Sequence, residues 1–175
     1  MHTPYSLLII DMQEDFYVTS DLEVTKNVQR EVREAVAANA DIIYVEYDCC
    51  GPTLPVITAM SDGYDKNFYV TKFDDDGSKQ IYGRIKEYKL HADHFKVTGV
   101  NTDCCVRSTV LGLCSRFPQA KIEVINDACA SLWRNKKGDQ FTHNRALTLM
   151  KNRTNVSIKE GTLTSIGRAI KSLFI

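Results

Sequence analysis

Short apolar runs alternate with helix-like patterns along almost the whole of this chain. From Asp21, a candidate N-cap, valines recur at every fourth position from 24 to 36 with charged residues between them, which is typical of an amphipathic helix. Strands are predicted at 5–10, 42–45, 68–70, 95–98, 122–125 and 156–158, and further helices at 77–90, 106–113, 139–151 and 163–174. Strands separated by single helices form right-handed crossovers and parallel pairs. The expected fold is therefore α/β, a three-layer α/β/α Rossmann-like sandwich with a mostly parallel sheet of about six strands.

The length and charge of the chain fit one ordinary globular domain. A chain of 175 residues can bury a full core, so we expect a single domain over 1–175. Lysine plus arginine and aspartate plus glutamate both number 22, so no net field favours nucleic acid or an anionic membrane as a partner.

The N-terminal segment and the cysteines bear on location. The first six residues lack a basic region, and Asp11 interrupts the apolar run at 7–10, so the segment predicts neither a signal peptide nor a membrane span. Two adjacent pairs, Cys49–Cys50 and Cys104–Cys105, are among the six cysteines. Without a signal peptide, this usage predicts reduced thiols and a cytoplasmic protein.

The segment 50–67 interrupts the regular alternation. It contains Pro52, Pro55, Gly51 and Gly63, and no clean helix fits it. An irregular loop beside the end of a strand is a plausible wall for an active site, which is the role we predict for it.

Three residues whose side chains can take part in catalysis lie at the carboxyl ends of predicted strands. In an open parallel sheet, this is the edge where ligands bind. Asp11 follows the first strand, Lys72 the short third strand and Cys105 the fourth. Each alone has a structural alternative: a turn cap, a solvated surface lysine and a small core residue, respectively. Their convergence on one edge favours a common site.

The chemistry of the three side chains is complementary. Cys105 comes between a predicted strand and a predicted helix, where amide N–H groups and the helix dipole stabilise a thiolate. A carboxylate such as Asp11 can take the thiol proton, and the Lys72 ammonium can stabilise charge and orient both groups. The set predicts attack on a carbonyl carbon to give a thioester, which water then cleaves.

Three segments resemble the motifs of the isochorismatase-like cysteine hydrolases, a family that includes nicotinamidases and other small amidases. Residues 8–16 are similar to the opening strand of the family, 71–73 with 76–78 to the segment that carries its lysine, and 99–106 to its nucleophile loop. The segments occur in the family's order and spacing. The resemblance implies Asp11 as base and then acid, Lys72 as organiser and Cys105, rather than Cys104, as nucleophile.

The resemblance implies further details of the site. A cis peptide bond would join Val100 and Asn101, and the backbone N–H groups of Asn101 and Cys105 would form an oxyanion hole. Phe16 would line the pocket of a small-molecule substrate. Members of the family often form dimers or tetramers, so a homo-oligomer is expected.

One departure from the nicotinamidases concerns their metal site, which has the pattern Asp-x-His with a further histidine downstream. Here Asp48 is followed by Cys49 and Cys50, so a cysteine stands where the histidine would be. Two ligands fall short of the three protein ligands that catalytic zinc usually has. We therefore predict no metal and no cofactor, and we interpret His91 and His94 as solvated surface residues.

Other functions remain open at this point. Isochorismatases proper cleave a vinyl ether by acid chemistry from the aspartate, without a nucleophilic cysteine. A catalytically silent domain of the same fold, used for binding or assembly, is a second alternative. A nucleotide-binding Rossmann domain fits poorly, because no glycine-rich turn follows the first strand.

Overall fold

A computed structural model describes residues 4–131 and 139–161 of the chain. Six strands form one sheet: β1 (Ser6–Ile10), β2 (Asp41–Tyr47), β3 (Asn67–Lys72), β4 (His94–Val100), β5 (Lys121–Ala130) and β6 (Val156–Lys159). Their order is β3-β2-β1-β4-β5-β6, and every pairing is parallel. The prediction of an α/β fold with a parallel six-stranded sheet is confirmed. The predicted helix at 163–174 lies outside the described residues.

Five α-helices are described: α1 (Leu22–Ala37), α2 (Pro55–Thr58), α3 (Ser78–Tyr88), α4 (Arg107–Arg116) and α5 (Asp139–Lys151). Short 3-10 turns span Tyr17–Ser20 and Ala59–Ser61, and a single π-helical turn, Thr102–Val106, leads into α4. None of the helices within 4–131 and 139–161 has the length and apolar character needed to cross a membrane.

The helices cover both faces of the sheet because the strands are apolar on both sides. On β1, Leu7 and Ile9 pack into the core shared with α1, while Leu8 and Ile10 pack into the core shared with α3, α4 and α5. Successive side chains of a strand point to opposite faces, so the five consecutive buried residues of β1 contribute to the cores on both faces of the sheet. The result is the three-layer arrangement.

Helix α1 begins where the sequence predicts. The Asp21 carboxylate accepts a hydrogen bond from the N–H of Glu23 at 2.9 Å, which satisfies one of the free donors of the first turn. Val24, Val28 and Val32 lie fully buried on one face of the helix, as their spacing predicts.

The largest differences from the sequence-based prediction are at β5 and in the segment 50–67. Strand β5 continues to Ala130, five residues beyond the predicted end, because a register shift between Val97 and Gly99 lets its second half pair with β4 again. The segment 50–67 contains the one-turn helix α2, with Pro55 at its first turn, where a missing N–H costs nothing.

Gly99 brings β4 against the end of β1. Its φ is +117°, and a Cβ at this position would lie 2.0 Å from the carbonyl oxygen of Ile10. Only glycine adopts this conformation and permits this approach. The two strand ends that carry Asp11 and Asn101 are thereby held side by side.

Candidate active site

Asp11 and Lys72 form a buried ion pair at the carboxyl edge of the sheet. Asp11 directly follows β1, and Lys72 is the last residue of β3, two strands away in the sheet order. The Lys72 Nζ lies 3.0 Å from Oδ2 of Asp11, and neither side chain is exposed. A long side chain is needed here, because it must cross above β2 to reach the carboxylate.

The Lys72 ammonium has two further contacts. It donates a hydrogen bond to the carbonyl oxygen of Asp74 at 3.0 Å and lies 4.0 Å from the ring centre of Tyr47. A cation over an aromatic face is attracted by the ring quadrupole, most strongly when water is excluded. Lys72 is therefore a fixed internal charge and not the surface lysine that it resembles in isolation.

Burial determines the proton affinity of Asp11. Its pKa is raised by burial, while the positive charge of Lys72 and the thiol of Cys105 act in the opposite direction. The backbone of Asp11 is in the left-handed region, with φ of 49°, and its N–H donates to the carbonyl of Val45 at 2.9 Å. A buried carboxylate with raised proton affinity is suited to accept a proton from a neighbour.

Cys105 lies in the π-helical turn that follows β4. The N–H groups of Cys104 and Val106 donate to the carbonyl oxygen of Asn101 at 3.0 and 3.1 Å, which closes the turn. The peptide bond between Val100 and Asn101 is cis. The Cys105 side chain is almost fully buried and faces the Asp11 carboxyl.

Cys105 is held as a neutral thiol. Burial and the negative charge of Asp11 raise the pKa of the Cys105 thiol, and the charge of Lys72 opposes them without reversing the direction. The sequence-based expectation of a stabilised thiolate was wrong in this respect. Position between strand and helix favours the thiolate, but the loss of water and the adjacent carboxylate outweigh it.

Asp75 is a neighbour of the site that sequence reasoning missed. Its Oδ2 accepts from the Cys104 thiol at 3.0 Å, and its Oδ1 accepts from the Cys105 thiol at 3.5 Å. Burial and Asp75 raise the pKa of Cys104 to about 11. In the sequence, Asp75 is the middle of three aspartates, a pattern that usually indicates a solvated turn.

Tyr47 and Phe16 continue the site toward solvent. The Phe16 ring, half-buried, makes an edge contact with the ring of Tyr47 at 6.3 Å between centres. The structure therefore places Phe16 two side chains from Asp11, by way of Tyr47 and Lys72. Tyr47 was missed because the predicted second strand ends at 45, two residues before it.

The loop after β2 is fastened beside this edge, where a wall is predicted. Gln13, fully buried, accepts from the Tyr47 N–H at 2.7 Å and donates to the carbonyl oxygens of Tyr47 and Gly51. The Glu46 carboxylate accepts from both the N–H and the hydroxyl of Thr53, at 2.7 and 2.9 Å. The loop start is thus fixed to β2 by side-chain hydrogen bonds.

The residues at the nicotinamidase-type metal position do not fit a metal site. Asp48 accepts a hydrogen bond from the thiol of its neighbour Cys49 at 3.3 Å. Among the described residues, neither Asp48 nor Cys50 belongs to a group of three convergent ligands.

The histidines before β4 have carboxylate partners. His91 Nδ1 lies 2.7 Å from Oδ2 of Asp41, and His94 Nε2 lies 2.9 Å from Oε2 of Glu123. The His94 side chain is only 11% exposed, so its interpretation as a solvated surface residue was wrong. It starts β4 and packs beside the ring of Tyr5.

His143, on α5, contacts the turn that carries Cys105. Its Nδ1 lies 2.9 Å from the hydroxyl of Thr102, and its Nε2 lies 2.9 Å from Oδ1 of Asn126. The sequence offers no signal for this role, because the three residues come from separate elements. Trp133 lies outside the described residues.

Comparison with known proteins identifies the fold. No protein-family model matches the chain, and no curated protein matches it in sequence. Among solved structures, the nicotinamidase from Staphylococcus aureus is similar with 18% identity and a TM-score of 0.73, over 92% of this chain and 100% of that one.

Two further solved structures are similar at the same level. The isochorismatase-like hydrolase from Alkaliphilus metalliredigens has 18% identity and a TM-score of 0.69, over 98% of this chain and 99% of that one. The MAR1 ribonuclease from Caenorhabditis elegans has 18% identity and a TM-score of 0.72, over 90% and 77%. This chain therefore has the fold of the isochorismatase-like hydrolases.

Proposed function

We propose that this protein is a cysteine hydrolase of the isochorismatase-like family that cleaves a C–N bond of the amide type in a small molecule. The supporting observation is the fully buried Lys72–Asp11 ion pair at 3.0 Å, which faces a buried cysteine. Two charges removed from water are costly unless they have a use or a compensating partner. A buried acceptor beside a thiol provides that use.

The first half of the reaction forms a thioester. As Cys105 Sγ attacks the substrate carbonyl carbon, the thiol proton passes to the Asp11 carboxylate. The raised pKa of Asp11 favours this transfer, and the raised pKa of Cys105 favours a thiol that keeps its proton until the attack. Asp11 then gives the proton to the leaving nitrogen, and the C–N bond breaks.

The second half returns the enzyme to its starting state. A water molecule attacks the thioester carbonyl as Asp11 takes one of its protons. The C–S bond breaks, the acid product leaves and the proton returns to the Cys105 sulfur. The Lys72 Nζ, 3.0 Å from Oδ2, keeps the Asp11 carboxyl in the same orientation in both halves.

The developing oxyanion needs donors of its own. We propose the backbone N–H groups of Asn101 and Cys105 for this role, supported by the closed turn that holds Asn101 close to the nucleophile Cys105. Phe16, which contacts Tyr47 next to Lys72, is proposed to line the substrate pocket.

The setting of the activity is part of the same proposal. We expect one catalytic domain over 1–175, working without a cofactor, in the cytoplasm, as a homo-oligomer, with a small molecule and not a nucleic acid as its substrate. The balance of 22 basic and 22 acidic residues supports the choice of substrate class. Light scattering of the purified protein measures the oligomeric state.

Ammonia release from a panel of small amides, including nicotinamide, pyrazinamide and ureido compounds, tests the activity. The wild type is compared with Cys105→Ala and with Cys114→Ala, a matched control because Cys114 lies on α4 outside the site. We expect release that Cys105→Ala abolishes and Cys114→Ala leaves unchanged. Mass spectrometry of quenched reactions should show an acyl group on Cys105.

The alternatives give different results in the same experiment. A vinyl ether is added to the panel, with its carbonyl product measured. Turnover of that compound without an acyl-enzyme, retained in Cys105→Ala and lost in Asp11→Asn, would identify vinyl ether hydrolysis by acid chemistry. No turnover, with Cys105 as slow to alkylate as Cys114 in both wild type and Asp11→Asn, would identify a binding or assembly domain.

A further inference from the structure

Two adjacent thiols face one carboxylate at the entrance to the site. Cys104 Sγ lies 3.0 Å from Oδ2 of Asp75, and Cys105 Sγ lies 3.5 Å from Oδ1 of the same residue. One potential ligand atom from each residue lies within 4.8 Å of the other two. Within the described part of the chain, no other set of three histidine, cysteine or acidic residues converges in this way.

These separations are close to those of a tetrahedral zinc site. With a Zn–S bond of about 2.3 Å and a Zn–O bond of about 2.1 Å, tetrahedral geometry places sulfur and oxygen about 3.6 Å apart. Cys105 Sγ lies near this spacing from Oδ1 of Asp75, at 3.5 Å, and Cys104 Sγ lies 3.0 Å from Oδ2. A metal held by both sulfurs and one of these oxygens therefore requires the side chains to rotate from these positions. The donor set of two sulfurs and one carboxylate oxygen suits a borderline-soft cation.

The three residues also differ in exposure in a way that lets an ion enter. Asp75 is exposed, Cys104 is half-buried and Cys105 is buried, so the set runs from solvent to the nucleophile. The backbone around Asp75 is held by Thr109, whose hydroxyl accepts from the Gly77 N–H at 3.0 Å and donates to the Asp75 carbonyl at 3.3 Å. The carboxylate is therefore presented to the thiols by an anchored turn.

We propose that Asp75, Cys104 and Cys105 form a binding site for a soft divalent cation, with Zn²⁺ as the reference ion. Binding replaces the two thiol protons: M²⁺ plus two R–SH gives the metal dithiolate and two H⁺, and water completes the coordination. The site differs from the Asp48–Cys50 position, which follows β2 and shares no residue with the set of Asp75, Cys104 and Cys105.

The site links metal binding to the proposed hydrolysis through one shared atom. A metal-bound Cys105 sulfur cannot attack a carbonyl, so an occupied site holds the enzyme inactive until the ion is removed. This consequence rests on the proposed function, whereas the binding itself does not. The two are measured separately.

Binding is tested with Zn²⁺ alone on reduced, metal-free protein, by competition with a chromophoric chelator, and with Co²⁺ by its thiolate charge-transfer absorption. We expect one equivalent, released protons and an affinity that falls about tenfold or more in Cys104→Ser and in Asp75→Asn. The matched control is Cys49→Ser. The Cys49 thiol donates its hydrogen bond to Asp48 and not to Asp75, so this variant should bind Zn²⁺ as the wild type does.

Circular dichroism verifies that each variant is folded, and Cys104→Ala replaces Cys104→Ser if the latter is not. The proposal is overturned if the wild type binds no Zn²⁺, or if Cys49→Ser loses affinity and Cys104→Ser does not. Zinc binding without any hydrolytic activity would support the site and contradict the proposed function. Hydrolysis that Zn²⁺ does not inhibit, together with no Zn²⁺ binding, would support the proposed function and contradict the metal site.

Discussion

The Nζ of Lys72 lies 3.0 Å from Oδ2 of Asp11, with both side chains entirely out of contact with solvent. Removing one partner of such a pair leaves an uncompensated buried charge, which costs far more than the pair contributes. We therefore expect Lys72→Met to lower the free energy of unfolding by about 3–5 kcal/mol at neutral pH. Urea denaturation measures it.

The double variant Asp11→Asn/Lys72→Met is the control for that prediction. It removes both charges, so it should be more stable than Lys72→Met alone. Strictly additive losses in the two single variants would show that the side chains are not coupled.

Asp11→Asn should separate thiol reactivity from hydrolysis. The negative charge of Asp11 raises the pKa of Cys105, so its removal lowers that pKa and speeds alkylation by iodoacetamide near pH 8. Hydrolysis should fall about 10²- to 10⁴-fold, because the proton acceptor is lost. Peptide mass spectrometry distinguishes the Cys105 adduct from one on Cys104.

Lys72→Met should have the opposite effect on alkylation. The charge of Lys72 lowers the pKa of Cys105, so without it the thiol reacts more slowly. Equal alkylation rates in the two variants and the wild type would contradict the proposed coupling of the three groups.

The raised pKa of Asp11 also predicts how stability depends on pH. Because the folded-state pKa lies above the unfolded value of about 3.9, the folded protein binds the proton more tightly. The Asp11 contribution to stability is full below the unfolded value and is lost as pH rises through the folded one. Only the wild type loses stability over that window, so the destabilisation caused by Asp11→Asn should become smaller as pH rises, as measured by denaturation at a series of pH values.

Gly99→Ala tests the close approach of β4 to β1. A Cβ would lie 2.0 Å from the Ile10 oxygen at a φ of +117°, so steric overlap adds to backbone strain. We expect a loss of roughly 3–5 kcal/mol in the free energy of unfolding. Gly63→Ala, with φ of +71° and nothing within 4 Å, should lose only about 1 kcal/mol. Equal losses at both glycines would show that the strand contact is not limiting.

Gln13→Ala should loosen the start of the loop that follows β2. The buried amide makes hydrogen bonds to Tyr47 and Gly51, and their loss leaves backbone groups unsatisfied at a cost of about 1–3 kcal/mol. Amide hydrogen exchange over 48–54 should accelerate. Gln29→Ala, which removes an exposed hydrogen bond to Val56, is the matched control and should leave that segment protected.

The fold could be predicted from local pattern alone, because the main helices and strands each have a recognisable pattern of apolar residues. The buried run at the start of β1 and the fourfold valine spacing of α1 need no tertiary information. Strand ends were less accessible: β2 and β3 each run two residues beyond the prediction, since pairing with neighbours extends them past their apolar centres. This is why Tyr47, at the end of β2, was overlooked.

The candidate site was predictable only in part, and for a different reason. The chain position of Asp11, Lys72 and Cys105 follows from the strand ends, but the charge state of Cys105 depends on burial, which no sequence pattern reports. The two contacts of Asp75 likewise arise from tertiary placement of an acidic turn. Sequence identifies the participants, whereas packing sets their proton affinities.

The positions of the site residues along the chain also determine when they become available during synthesis. Asp11, Lys72 and Cys105 belong to β1, β3 and the turn after β4, so the assembled arrangement requires four strands that span most of the chain. During synthesis at the usual elongation rates, roughly 5–20 s separate the emergence of Asp11 from that of Cys105. A nascent or truncated chain that ends before the π-helical turn contains Asp11 and Lys72 but lacks Cys105, the proposed nucleophile. The proposed activity would therefore require that the first four strands of the sheet have assembled.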